Sequence, residues 1–279
     1  MPLREGGRRL RGAKAAGTAD QPLVSVITVV YNGGPHIEQT IEAVARQTYP
    51  NVEHIVIDGA STDATVDILR RHEGSIGYWA SEPDGGIYDA MNKGIALVTD
   101  PESYVLFANA DDHLYSDEAI ERAISASSGE DLVYGRMVLS DDKVSAVIGR
   151  RVELAGLARE TLCHPATLVK RRVFDDVGMF DRSYRIAADY DHIVRCFAAP
   201  VSTRFVDVIV SRMRMGGLSE DQFMTSCRER KAVIRRHFPL VPRMRGILQV
   251  NFYDIPRNAA RRWIDRAGLL GHWRALKGS

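Results

Sequence analysis

The chain has 279 residues with 37 Lys and Arg balanced by 36 Asp and Glu, and 45% of it is apolar, so it can bury a large core and lacks the composition of a disordered protein. A formal net charge of +1 removes any bulk electrostatic case for nucleic acid, and no window approaches the roughly 18 consecutive apolar residues of a membrane span. Cys163, Cys196 and Cys227 are widely spaced and lack CxxC or Cys/His ligand spacing, which excludes a disulfide framework and a structural zinc site and fits a reducing cytoplasm.

Residues 1–20 are basic, rich in Gly and Ala and without the apolar core of a signal peptide, and are expected to form a disordered arm. Residues 23–30, LVSVITVV, make a β-branched apolar run, the pattern of a strand buried on both faces of a parallel sheet. Tyr31-Asn32-Gly33-Gly34-Pro35 ends it, and Ile37, Ile41, Val44 and Ala45 then fall at helical spacing. Residues 52–57 predict a second strand, 58–63 a polar turn, and Val66 and Leu69 mark a second helix. Residues 76–80, the loop Ser81-Glu82-Pro83-Asp84-Gly85-Gly86 and a helix carrying Tyr88, Met91, Asn92 and Ile95 repeat the unit, and residues 104–108 predict a fourth strand. This alternation implies a right-handed, mostly parallel sheet flanked by helices, an α/β fold. After about residue 130 the alternation breaks. Strands are expected over 132–139 and 144–148 around Ser140-Asp141-Asp142, another over 163–169, a helix over 187–197, and Arg-rich helices from Cys227 onward.

Asn109-Ala110-Asp111-Asp112 follows the fourth strand directly, which puts adjacent carboxylates at the edge where open α/β sheets hold ligands. Adjacent acids repel, so a cation between or beside them explains the placement, and a divalent metal carrying a phosphate is the natural candidate. The competing account is an acidic strand-to-turn junction in which Asp112 or Ser116 caps a helix beginning near Asp117.

Five blocks in order, VSVITVVYN, VIDGASTDAT, SEPDGGIYDAMNKGI, VLFANADD and FDRSYRIAADYDHIVR, resemble the family 2 glycosyltransferases of the GT-A fold, especially bacterial enzymes that build surface polysaccharides or glycolipids. The resemblance implies a GT-A type, Rossmann-like sheet in a catalytic domain over 21–225, with a nucleotide-sugar half at 21–130 and an acceptor half at 131–225, followed by a helical basic extension over 226–279. It implies an inverting, metal-dependent hexosyltransferase. The donor would be a nucleotide-diphosphate sugar, foremost a UDP-sugar, and the acceptor a hydroxyl on a lipid-linked, polysaccharide or glycolipid precursor. In that scheme Thr28, Val29, Tyr31, Asp58, Asp84, Gly86, Asn92, Asn109 and Asp112 serve the donor, with the paired glycines letting backbone N–H groups approach a diphosphate or ribose. Asp111 holds Mn2+ or Mg2+, Asp189 takes the proton from the acceptor hydroxyl, and His164 and Asp191 lie on the acceptor side. The chain departs from the family pattern at Gly59 and Ala188, where acids are usual, and at Asn109, the first place of the metal motif.

Each of these residues also has a plain structural role open to it. Tyr31 can be a strand-end aromatic, Asp58 can cap the Ser61 turn, Asp63 and either Asp189 or Asp191 can cap helices, Gly85-Gly86 can be a simple turn, and His164 can be a satisfied core histidine. Two other functions compete. A nucleotidyltransferase would want a basic phosphate-gripping residue after the first strand, which residues 31–35 lack. A non-catalytic nucleotide-sugar-binding subunit of a membrane-associated assembly draws support from Gly59 and Ala188. The basic tail, with Arg228, Arg230, Lys231, Arg235 and Arg236 and then Arg257, Arg261, Arg262, Trp263, Arg266, Trp273 and Arg274, is expected either to rest on an anionic membrane at the cytoplasmic face or to pack with a solvated Arg side.

Overall fold

Four apolar segments form the parallel heart of the sheet. The computed structural model describes residues 3–13, 15–110, 112–140, 145–214 and 222–259. Within it β1 (Arg4–Gly6) lies at one edge, and β2 (Val24–Val30), β3 (Val52–Asp58), β4 (Tyr78–Ser81) and β5 (Tyr104–Phe107) run parallel in the order β4-β3-β2-β5. The helices between them, α1 (Gly34–Ala45), α2 (Thr65–Arg71) and α3 (Ile87–Ala96), cover both faces. Ile27, Val29, Ile55 and Ile57 pack with Met91 and Ile95 of α3. Val30 and Val56 point the other way, into Ile37 and Ile41 of α1 and Leu69 of α2. Strands buried on both faces need near-continuous apolar runs, which is what residues 23–30 supply.

Beyond β5 the direction alternates. β7 (Leu132–Ser140) pairs antiparallel with β8 (Ser145–Ile148), and residues 141–144 between them lie outside the described residues. Antiparallel β9 (Thr167–Lys170) joins β7 to β5, β10 (Thr203–Arg214) runs parallel to β7, and β6 (His113–Leu114) closes that edge. The strand expected over 163–169 begins instead as a 3-10 turn, His164–Ala166, because Pro165 has no N–H to give a ladder. Helices α4 (Ala119–Ser125), α5 (Leu154–Leu157), α6 (Arg171–Val177) and α7 (Ala188–Ala198) follow; α7 answers the helix expected over 187–197, while α5 and α6, like β10, have no counterpart in the sequence reading, and α8 (Phe223–His237) and α9 (Leu240–Gln249) form the helical C-terminal region. Among the described residues no helix is long and apolar enough to cross a membrane.

The structure corrects the expectation of a disordered arm. β1 pairs antiparallel with β4, Arg4 opposite Ser81 and Gly6 opposite Trp79, and so covers a sheet edge that would otherwise expose unpaired backbone. Gly6 is needed there, since a Cβ would lie 2.4 Å from the Trp79 indole nitrogen. Arg9 then donates through Nε to Glu53 Oε1 at 2.6 Å, through Nη2 to Oε2, and through Nη1 to the Leu97 carbonyl at 2.8 Å. Composition argued for disorder because the stretch is polar and Gly-rich. The contacts that order it lie 44 and 88 residues away in sequence.

Glu53 is the most consequential partner, because its side chain is only 3% exposed and a buried carboxylate without its cation is costly. Arg9→Ala is expected to lower the unfolding free energy by about 3–5 kcal/mol. Urea denaturation monitored by circular dichroism measures it, and a change within error of zero would mean that the arm does not hold the sheet edge.

Candidate active site

The parallel strands end in register, Val30 beside Asp58 and Asp58 beside Ser81, so the residues just beyond them share one rim. Hydrogen bonds carry the ladder one step further, Gly59 N–H to the Val30 carbonyl at 2.9 Å and Glu82 N–H to the Asp58 carbonyl at 3.0 Å. Tyr31 stands on this rim with 68% of its surface exposed. After the neighbouring β5, Ala110 and Asp112 lie against α1 and the loop after β2. Thr40 Oγ1 of α1 donates to the Ala110 carbonyl at 2.9 Å and lies 3.3 Å from the Asp112 carbonyl, and the Ala110 methyl sits 3.3 Å from where a Cβ of Gly33 would be.

Several residues expected at the donor are used by the fold itself. Thr28 is buried with Oγ1 2.9 Å from His54 Nε2, and Val29 packs in the core, so neither side chain reaches the rim. Burial holds His54 down to about 3, with the Arg8 charge adding to the effect, so it bonds as a neutral imidazole. Asp58 is fully buried and accepts from Ser61 N–H at 3.0 Å, from Ser61 Oγ, and from Ser81 Oγ at 2.6 Å. That is the turn-capping role, and it withdraws Asp58 from a ligand. Asn92 exchanges two bonds with the backbone of Phe180, 2.9 and 3.1 Å, and so ties α3 to the loop before α7. Asp63 accepts from Thr65 N–H and Gly34 N–H, joining the starts of α2 and α1.

The Gly85-Gly86 amides are also occupied. Gly85 N–H donates to Asp89 Oδ2 and Gly86 N–H to Asp84 Oδ1, both at 2.8 Å, so acids of the chain hold the places expected for a diphosphate. Gly86 has φ 112°, a left-handed conformation that favours glycine, and it starts α3. What remains for an anion here is Arg182, 3.1 Å from Asp89 Oδ1 and 60% exposed, whose guanidinium approaches Gly85.

Asp111 lies outside the described residues. Of its neighbours, Asn109 Nδ2 donates to Asp112 Oδ2 at 3.1 Å, and Asn109 Oδ1 is buried with no hydrogen-bond partner among the described residues. An orphaned buried carbonyl oxygen is costly unless something electropositive meets it, and a hard divalent ion takes such oxygens. Among the described residues no three acids, histidines or cysteines cluster as a ready metal cage.

On the other side of the rim, Asp189 sits in the first turn of α7 and is half-buried. Tyr88 of α3 donates to the Ile186 carbonyl and lies 3.1 Å from Asp189 Oδ1. Burial and the Asp189 charge push the Tyr88 hydroxyl well above its ordinary value, so it remains a donor. His164 stacks on Phe107 at 5.1 Å and meets Phe180 edge-on at 5.8 Å. Those apolar surroundings lower its pKa against the opposing pull of Asp189, which places His164 within the field of that carboxylate. Asp191 faces the opposite way. Its buried carboxylate pairs with Arg195 and with His237 Nε2, each at 2.8 Å, and locks α7 to α8 instead of meeting an acceptor.

Residues 25–178 match the family described as glycosyl transferase family 2. The chain belongs to that family. A PGL/p-HBAD biosynthesis glycosyltransferase of Mycobacterium bovis is 34% identical over 208 residues, covering 71% of this chain and 79% of the relative. An uncharacterized glycosyltransferase of Mycobacterium tuberculosis is 32% identical over 229 residues, 78% of this chain and 86% of that protein. Among solved structures, the mannosyltransferase PcManGT from Pyrobaculum calidifontis, in complex with GDP-Man and Mn2+, superposes with a TM-score of 0.65 at 19% identity over 98% of this chain and 86% of its own. S. aureus TarS in complex with UDP-GlcNAc gives 0.62 at 16% identity, covering 82% and 71%. At those identities the structures establish the shared GT-A fold.

In this glycosyltransferase the structure explains one departure from the family pattern and adds three residues that the sequence did not assign. Ala188, at a place where the family usually has an acid, is fully buried in the core, so a carboxylate there would have no water. Arg182 and Tyr88 lie inside motif blocks, but nothing in the spacing assigns them. Glu229 of α8 carries no motif at all, yet it accepts from the N–H groups of Arg185, Ile186 and Ala187 at 2.9, 2.8 and 3.1 Å. It thereby fixes the entry into α7 that presents Asp189. Glu229→Ala is expected to cost about 1–3 kcal/mol and to speed hydrogen exchange at the amides of residues 185–187. Exchange rates equal to wild type at those amides would show that the cap is not holding them.

Proposed function

We propose that this glycosyltransferase moves one sugar from a nucleotide-diphosphate donor, foremost a UDP-sugar, to a hydroxyl acceptor with inversion, and that Asp189 is the base. The observation that supports it is the strand-end rim, with an exposed Tyr31 after β2, an Asn109 Oδ1 that has no partner among the described residues after β5, and Asp189 at the start of α7 against Tyr88 of α3. Asp189 removes the hydroxyl proton as that oxygen attacks the anomeric carbon. The bond from that carbon to the diphosphate breaks, and the nucleoside diphosphate leaves with the bonding pair. One base suffices for such a single displacement, with no carboxylate needed as a covalent nucleophile. Tyr88 orients the base, and Arg182 offers positive charge to the departing phosphates. The donor set fits a divalent ion: Asp111 and Asn109 Oδ1, with Asp112 in support, would hold Mn2+ or Mg2+, which when bound neutralises charge on the leaving group. The complexes of TarS with UDP-GlcNAc and of PcManGT with GDP-Man and Mn2+ support a nucleotide-sugar and a metal.

Addition of UDP with Mn2+ is expected to raise the Tm of the protein. Asp189→Asn should keep the UDP affinity within about threefold while kcat falls by about 10²- to 10⁴-fold. A parallel loss of affinity and rate would move Asp189 to the donor side, and no Tm shift with any nucleotide sugar would reject the donor class.

The acceptor in this proposal is lipid-linked and met at the cytoplasmic face of a membrane. Support comes from α9 and the π-helical turn after it, Val250–Asp254, where Leu240, Met244, Leu248 and Phe252 recur every fourth residue and are all about half exposed or more. Exposed Arg245 and Arg257 accompany this stripe, a pairing that suits an anionic headgroup layer. Trp263, Trp273 and the arginines among them lie outside the described residues. Wild-type protein should float with vesicles containing anionic lipid, and Leu248→Glu with Phe252→Glu should abolish it; equal flotation of both would exclude this surface.

A further inference from the structure

The rim holds one carboxylate whose position depends on a missing side chain. Asp58, the acid the sequence offers at the end of β3, is spent inside the fold on Ser61 and Ser81. The next residue is Gly59, and a Cβ there would lie 2.6 Å from Asp84 Oδ2 and 3.4 Å from the Tyr31 ring carbon Cδ2. Asp84 therefore occupies the space that a side chain at position 59 would need. Among the described residues its carboxylate accepts from the Gly86 N–H through Oδ1, and Oδ2 is the oxygen turned toward Gly59, whose open side also meets the edge of the exposed Tyr31 ring.

An exposed aromatic ring beside a carboxylate oxygen, above backbone with no Cβ, is a slot for a flat heterocycle that carries an N–H. We propose that Asp84 is the group that reads the donor's nucleobase, taking from the loop after β4 the place left empty at Gly59. This rests on the nucleotide-sugar reading given above and names the residue that sets its base preference. An ionised carboxylate can only accept. It matches uracil and thymine, which offer N3–H, and guanine, which offers N1–H and an amino group. Cytosine N3 and adenine N1 present a lone pair at the same place and are repelled. A hydrogen bond to a charged group is worth about ten- to a hundredfold in affinity, and the half-buried setting of Asp84 argues for the lower end.

Calorimetric titration of UDP and CDP in the presence of Mn2+ tests this on the full chain. Wild type should favour UDP by about tenfold. Asp84→Asn keeps the shape and the bond from Gly86 N–H through its amide oxygen, but turns an NH2 toward Gly59, so the preference should collapse or reverse toward CDP. Gly59→Asp alone should weaken UDP, because the new Cβ collides with Asp84. Gly59→Asp combined with Asp84→Gly should restore the preference for UDP by returning a carboxylate to the same space. An unchanged UDP-to-CDP ratio in Asp84→Asn overturns the assignment while leaving the donor class intact. Failure of wild type to bind either nucleotide overturns the donor class itself.

Discussion

Everything at the site follows from one constraint: β2, β3, β4 and β5 are parallel and in register, so their carboxyl ends reach a common edge. Parallel strands must be joined by crossovers, and here the helices take up both faces, which leaves the loops after the strands free to gather at that edge. Tyr31, Gly59, Asp84 and Ala110 come from four different loops yet fall within one rim. The antiparallel half then adds its own piece, since β9 binds β5 and carries His164 to the face of Phe107. α7 completes the arrangement by bringing Asp189 to Tyr88. Loss of register between any two of the parallel strands would separate these groups by whole residues.

A second theme is how much polar chemistry the fold consumes in holding this rim. Asp58, Asn92, Asp191 and Glu229 all look like functional side chains by type. Each instead satisfies buried donors: Asp58 shapes the turn after β3, Asn92 pins the loop at Phe180, Asp191 joins α7 to α8, and Glu229 closes the entry to α7. Buried N–H and hydroxyl groups that lose water must find partners, and these side chains supply them. After this accounting Tyr31, Asp84, Arg182 and Asp189 keep part of their surface in solvent, and Asn109 Oδ1 has no partner among the described residues. Burial lowers the pKa of three histidines, His54, His164 and His192, which weakens each as a proton acceptor.

The arm illustrates the limit of composition as a guide. Arg4–Gly6 is polar and Gly-rich, which locally suits disorder, but it pairs with β4 and delivers Arg9 to a buried Glu53. No nearby residue signals that partnership. In the same way Glu229 is invisible from its own segment, an exposed-looking acid in an Arg-rich helix, until α8 is laid beside α7.

The sequence by itself determined the β-α order through β5, the α/β class and the family, because apolar period, turn chemistry and motif order are local and survive without coordinates. Tertiary structure alone decided which acids face the rim. Asp58 and Asp84 read alike as loop carboxylates after strands, and Asp189 and Asp191 sit two residues apart on one helix, yet one of each pair is buried in a lock and the other is left at the crevice. Side-chain direction and the demand to satisfy buried donors depend on neighbours far away in the chain, and a linear pattern holds no record of them.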